Sequence, residues 1–210
     1  MKILMTAFDA FGGESVNPAA MALKKVIPIE NVELKKLVLP TVFGDSLEIL
    51  KKEIQDFCPE VVICLGQAGG RAGITPERIA INILDAPIAD NKGQTPLDEA
   101  IAPEGPAAYF SSLPIKAMVK TLRNNGIPSS ISNTAGTFVC NYLMYGLLQE
   151  ISKTPQVRGG FVHLPYLPEQ VLDKNLPSMS LEDIVKALEL LIQSCLNYRE
   201  DLVFPGGREN

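Results

Sequence analysis

Histidine is almost absent from this sequence: His163 is the only one in 210 residues. That scarcity leaves a zinc site short of ligands, because the four cysteines, Cys58, Cys64, Cys140 and Cys195, show no CxxC spacing that would complete a set. The same four are too few and too scattered for the disulfide scaffold of a small secreted protein, so free thiols are expected. No cluster of lysine and arginine occurs, and the formal net charge is -5, which argues against a surface that displaces counterions from nucleic acid. Apolar runs are all too short for a membrane span. The opening MKILMTAFDAFGG also lacks the cleavage pattern of a signal peptide, which makes the cytoplasm the expected address. Internal repeats and low-complexity tracts are missing too.

What is present is apolar material: 46% of the chain is hydrophobic, enough for one continuous core and a single domain over residues 1–210. Short apolar runs at KILMTAF, VELKKLVLP, EVVICLG, RIAINIL, SSIS and GGFVHLPY read as strands. They alternate with helical spacing at NPAAMALKKV, DSLEILKKEIQDF, LPIKAMVKTLRNNG, VCNYLMYGLLQEI and SLEDIVKALELLIQSCL, and such alternation predicts an α/β layer structure. A largely parallel sheet gathers its active groups beyond the carboxyl ends of its strands. The segments that follow the strands are therefore the ones to inspect: FDAFGGESVN, PTVFGD, GQAGGRAG, NTAGTFVCN and HLPYLPEQ. The stretch from Asp85 to Pro114, rich in Pro, Gly and Ala, is expected to be irregular.

In NTAGTFVCN a small-residue turn leads to Cys140 where a helix is about to begin. A thiol there lies near unpaired N–H groups and the positive end of the helix dipole, both of which favour thiolate. Cys64 in VVICLG and Cys195 in LIQSCL sit in apolar settings, and Cys58 precedes a proline at a helix exit, so all three read as structural. Cysteine chemistry needs a base, and the sole histidine ends an apolar run, where a side chain can enter a cleft above a sheet. The alternative for His163 is a hydrogen-bonded core residue. Glu77, in GITPERIAIN, is a candidate to orient the histidine; if RIAIN is extended, Glu77 shares a face with Ile79 and Ile81. The alternative is that Thr75-Pro76-Glu77 opens a helix. GQAGGRAG suggests a glycine-rich loop for close approach of a ligand, but without the Gly-Lys-Ser/Thr ending of a P-loop. Gln67 can read an amide, and Phe8, Phe11 and Phe138 can supply an apolar slot or simply pack.

Together FDAFGG, GQAGGRAGITPERIAIN, AGTFVCN and GGFVHLPYLPEQ, in that order, resemble the pyrrolidone-carboxyl peptidases, also called pyroglutamyl peptidase type I. The resemblance implies a phosphorylase/hydrolase-like open α/β/α sandwich with a twisted, largely parallel sheet. It also implies no cofactor, a cytoplasmic enzyme and a homo-oligomer, frequently a tetramer. Cys140 is then the nucleophile, His163 the general base and acid, and Glu77 the residue that orients it. Phe8, Phe11, Asn17, Gln67, Phe138 and Val139 match positions associated with the pyroglutamyl pocket. One position departs: the family typically reads A-R-I-P-D-N where this chain has Ala86-Pro87-Ile88-Ala89-Asp90-Asn91, so that arginine's role cannot be carried over. Two other readings stand beside this one. The glycine-rich loop with Arg71 suits phosphate-dependent transfer on a nucleoside, and an inert Cys140 suits a small-molecule binding module.

Overall fold

Four seven-residue apolar runs become the parallel strands β1 (Lys2–Phe8), β2 (Glu33–Leu39), β3 (Val61–Gln67) and β7 (Arg158–Leu164) of a computed structural model that describes residues 1–27 and 29–207. The sheet order is β2-β1-β3-β7-β4, with the two-residue β4 (Thr75–Pro76) running antiparallel to β7 at the edge. A separate antiparallel ribbon pairs β5 (Ile79–Ile81) with β6 (Ala108–Phe110). The helices are α1 (Pro18–Lys25), α2 (Asp45–Phe57), α3 (Ile115–Asn124), α4 (Val139–Ile151) and α5 (Leu181–Asn197).

Because side chains alternate along a strand, the central strands are apolar on both sides and divide the core in two. Ile3, Met5, Val61, Ile63 and Val162 pack with α1, α3 and α5, whereas Leu4, Phe8, Val62, Cys64 and Phe161 pack with α2 and α4. The result is an α/β/α sandwich, as expected. β1, β3 and β7 are parallel neighbours, so the segments that follow them gather at one end of the sheet, the carboxyl end, where ligands of such folds bind.

Local chemistry fixes the helix starts. Asn17 caps α1, its Oδ1 accepting from Ala19 N at 3.0 Å with Pro18 at the first helical position. Ser180 caps α5 with acids following in the first turn. α4 differs: Phe138 at its N-cap has no side-chain acceptor, and its buried residues encircle it. Gly146 lets α4 close onto α2, since a β-carbon there would collide with Leu47.

Three expectations need correction. RIAINIL supplies only the three-residue β5, outside the main sheet; SSIS, beside Pro128, makes isolated bridges (Ile74 with Ser129, Glu77 with Ser132) and no strand. Serine and proline pack and pair poorly in a ladder. Thr75-Pro76-Glu77 opens no helix, because Thr75 and Pro76 pair with His163 and Val162. The stretch from Asp85 to Pro114 is largely irregular but contains β6.

Candidate active site

Cys140 occupies the second position of α4, and its sulfur rests on the sheet at Gly66, near the end of β3. A β-carbon at Gly66 would lie 3.0 Å from Cys140 Sγ and 2.8 Å from the Phe161 ring, so only glycine permits this approach. Gly66 is the register partner of His163 on β7. The thiol therefore lies over the strand next to the one that carries the imidazole, the two backbones being about 4.8 Å apart. On the other flank of β7, Thr75 pairs with His163 and Glu77 N donates to Phe161 O at 2.9 Å. That register brings Glu77 Oε1 to 2.7 Å from His163 Nδ1.

Both members of this pair are buried, Glu77 completely and His163 to within 4%. Burial of Glu77 does not come from a shared apolar face with Ile79 and Ile81, since Ile81 is exposed; the carboxylate is enclosed by its polar partners. Arg71 supplies the second of these, donating from Nη1 to Glu77 Oε1 at 2.6 Å. A buried carboxylate needs such compensation. Sequence reasoning had linked Arg71 to a phosphate, and the signal it missed was an arginine six residues before the acid in a loop able to fold back on it.

Electrostatics depart from the expectation of a thiolate. Burial pushes the Cys140 thiol up to about 12, with the Glu77 charge adding to the rise and Arg71 opposing it. Burial also pulls His163 below its ordinary value, against the hydrogen bond and charge of Glu77, while Arg71 lowers it further. Desolvation outweighs the helix dipole, so both groups rest neutral at pH 7. With Nδ1 turned to Glu77, His163 Nε2 is left as the acceptor.

A cleft of about 450 Å³ opens at the end of β3, lined by Phe11, Glu14, Gln67, Ile88, Tyr166 and Leu176 among others. Phe138 packs at 6.1 Å from Phe11 and meets Phe43 edge-on at 5.4 Å. Phe8, Asn17 and Val139 do not line it. Phe8 packs on Phe161 in the core, Val139 is fully buried in α4, and Asn17 Nδ2 holds Asp9 O at 3.0 Å while Oδ1 caps α1. Gln67 Oε1 accepts from Gln170 Nε2 at 2.9 Å, a contact from the 3-10 turn Pro168–Gln170 that sequence inspection did not single out. Pro87 is exposed at the cleft's margin. The segment after it is tied down, with the Asp90 carboxylate accepting from the N–H groups of Phe43, Lys92 and Gln94 and Asn91 Nδ2 donating to Asp9 Oδ1 and Ala10 O.

An α/β/α sheet that ends in a thiol, an imidazole and a buried carboxylate defines the class of the α/β cysteine hydrolases. The comparisons narrow it. The family model described as pyroglutamyl peptidase matches residues 1–198. The pyrrolidone-carboxylate peptidase of Clostridium perfringens (strain SM101 / Type A) is 54% identical, covering 99% of each chain, and that of Bacillus subtilis (strain 168) is 51% identical, covering 98% of this chain and 97% of its own. The crystal structure of pyroglutamyl peptidase I from Bacillus amyloliquefaciens superposes with a TM-score of 0.94 at 47% identity, over 97% of this chain and 99% of that one. The chain belongs to the pyroglutamyl peptidase family.

Proposed function

We propose that the chain is a cysteine exopeptidase that hydrolyses the amide bond after an amino-terminal pyroglutamate. The observation that carries this reading is the 2.7 Å contact between His163 Nδ1 and Glu77 Oε1, on the strand whose register partner, Gly66, lies under Cys140 Sγ. Because thiol and imidazole both rest neutral, attack is coupled to proton transfer. His163 Nε2 takes the Cys140 proton as Sγ bonds to the scissile carbonyl carbon, and Glu77 steadies the imidazolium that forms. The carbonyl oxygen, now an anion, meets the N–H groups of the uncapped first turn of α4, including that of Cys140. Collapse breaks the C–N bond, and His163 returns the proton to the leaving amine. Water then attacks the thioester, giving its proton to His163, and the C–S bond breaks to release pyroglutamate and restore the thiol.

Pyroglutamate has no charged amine, so its pocket can be apolar provided the lactam finds hydrogen-bond partners. Phe11 and Phe138 supply the first requirement. Gln67 supplies part of the second: with Oε1 committed to Gln170, its Nε2 is the end that can donate to the lactam carbonyl. Phe8, Asn17 and Val139 enter this reading only through the family resemblance. The same proposal includes a single domain working as a cytoplasmic homotetramer, supported by the family resemblance and by the apolar Phe110 and Ile81 exposed on the β5–β6 ribbon. Among the described residues, no helix is long and apolar enough to cross a membrane. Arg71 is engaged by Glu77, which argues against the phosphate-dependent alternative.

The test is hydrolysis of a chromogenic pyroglutamyl amide by the purified protein, with Cys140→Ala as control and orthophosphate omitted. Turnover by the parent alone supports the reading; no turnover, or a dependence on orthophosphate, refutes it. Sedimentation velocity reads the tetramer.

A further inference from the structure

The mechanism above leaves Arg71 without a task. Its guanidinium spans three acceptors: Nη1 donates to Glu77 Oε1 and to Thr75 Oγ1, each at 2.6 Å, and Nη2 donates to Thr134 O at 3.1 Å. The glutamate oxygen it holds is the one that faces His163; the other, Oε2, is buried and accepts no hydrogen bond from any described group. One carboxylate oxygen is thus shared between a guanidinium and an imidazole. A planar fork can fix a carboxylate in this way, whereas a point charge cannot reach all three acceptors.

We propose that Arg71 is a positioning residue for the proposed peptidase reaction, locking the Glu77 carboxylate toward His163 and helping to keep His163 unprotonated at neutral pH. The basis is both geometric and electrostatic. A guanidinium fixed at 2.6 Å from the carboxylate oxygen that His163 contacts weakens the imidazole's hold on a proton. Without Arg71 the imidazole retains a proton to higher pH, and His163 cannot then accept the one from Cys140. The charged and titratable groups facing these atoms are few. His163 faces Glu77, from the segment after β4, and Arg71, from the loop after β3; Cys140 faces the same two and Cys64 of β3. Arg71 acts in the same direction on both groups, lowering His163 and Cys140 alike, although burial carries the thiol up overall.

Arg71 can also be reached from solvent. Its side chain is about a quarter exposed and borders a polar cleft of about 730 Å³ lined by Arg123, Ser129, Ser132, Asn133 and Thr134. A truncated side chain would leave space that a small cation can enter.

The inference rests on the peptidase reading, and one experiment separates the two. Steady-state hydrolysis of a pyroglutamyl amide is followed across pH for the parent, Arg71→Gln, Arg71→Lys, Arg71→Ala and Cys140→Ala. Arg71→Gln is expected to lose about ten- to a hundred-fold in kcat with KM changed less than about two-fold, because the Arg71 side chain borders the polar cleft and does not line the apolar one. The acid limb of its kcat/KM profile should move up by roughly half a pH unit or more. Arg71→Lys, which keeps the charge and loses the fork, should hold the acid limb near the parent's while kcat falls. Guanidinium ion, but not an equal concentration of sodium ion, should restore part of the Arg71→Ala activity. An Arg71→Gln enzyme with the parent's kcat and acid limb overturns the inference. So does a loss that follows the folded fraction while the limb stays in place, the result of a merely structural arginine. A parent no more active than Cys140→Ala overturns the peptidase reading and this inference with it.

Discussion

His163 Nδ1 stands 2.7 Å from Glu77 Oε1, with both side chains withdrawn from water. A hydrogen bond at that distance to an ionised acceptor selects the tautomer with its proton on Nδ1, which makes Nε2 the working nitrogen. The same contact stabilises positive charge on the ring only once Nε2 has gained a proton. Its benefit is therefore concentrated in the charged intermediate rather than the resting enzyme.

Replacement of Glu77 by glutamine tests that division of labour. The amide oxygen can still accept from His163 and Arg71, so the fold should survive, but the charge that offsets the imidazolium is gone. A fall of about ten- to a thousand-fold in kcat is expected, smaller than for loss of Cys140. Steady-state kinetics and a melting curve decide the matter: unchanged kcat with a lowered Tm would assign Glu77 a structural role only.

Cys140→Ala should abolish turnover with the fold intact, while alanine or serine at Cys58, Cys64 or Cys195 should retain activity. Thiol labelling needs more care than the sequence suggested, because Cys58 is exposed and will react with iodoacetamide as well. In a Cys58→Ser background one equivalent should label, at Cys140, and a pyroglutamyl ligand should block it. Cys64 and Cys195 are fully buried, whereas Cys140 is only partly so, and access rather than acidity separates them, so peptide mapping should find neither Cys64 nor Cys195 modified in the native protein. Modification of either under native conditions would contradict the assignment.

The sequence made the layers legible because the three inner long strands are largely buried on both faces and the helices carry their own period; those signals do not depend on partners. Cys140 and His163 stood out in the sequence as candidates, a thiol at a helix start and a lone base at a strand end, but a core histidine fitted the residues equally and their roles came with the family resemblance. Glu77 was only one acid among 24, and what distinguishes it is a backbone bond to Phe161 O that no local pattern encodes. Arg71 and Gln170 were missed for the same reason, since each acts through a partner distant in sequence or hidden by a loop reversal. The thiol's pKa was misjudged because dipole and burial oppose each other, and burial is not visible in a nine-residue window.

Stability should fall on both sides of neutrality, for reasons of opposite sign. His163 is lowered from its ordinary 6.5, so below pH 6.5 the unfolded chain takes up a proton that the folded one refuses, and stability declines as pH drops toward the folded value. Cys64 and Cys195 are raised from 9.0 to about 12, so above pH 9 the unfolded thiols ionise first and stability declines as pH rises. Urea midpoints measured across pH should form a plateau between these limits. In His163→Gln the slope just below pH 6.5 should flatten; a slope equal to the parent's would show that another group causes it.

The sharpest prediction concerns what the cleft excludes. Phe11 and Phe138 present an apolar surface, and Gln67 offers Nε2 because Gln170 occupies its Oε1. A substrate with an amino-terminal glutamine brings an ammonium group into this setting, where the carboxylate on the cleft wall, Glu14, is already paired with Lys174 and Gln170, so desolvation should all but exclude it. A prolyl substrate matches the ring but carries a charged amine and lacks the carbonyl that Gln67 can bind, which should cost roughly a hundred-fold or more. Phe11→Ala removes apolar contact and one side of the Phe138 stack, and should weaken pyroglutamyl binding without admitting either competitor, since a larger apolar space still holds no partner for a cation. The measurement is kcat/KM for pyroglutamyl, prolyl and glutaminyl chromogenic amides with the parent and with Phe11→Ala. Comparable values for all three with the parent would rule out this pocket even if the chemistry at Cys140 stood, because a site that accepts a cation and a lactam alike cannot owe its selectivity to an apolar slot and a single amide donor beside an acid already paired.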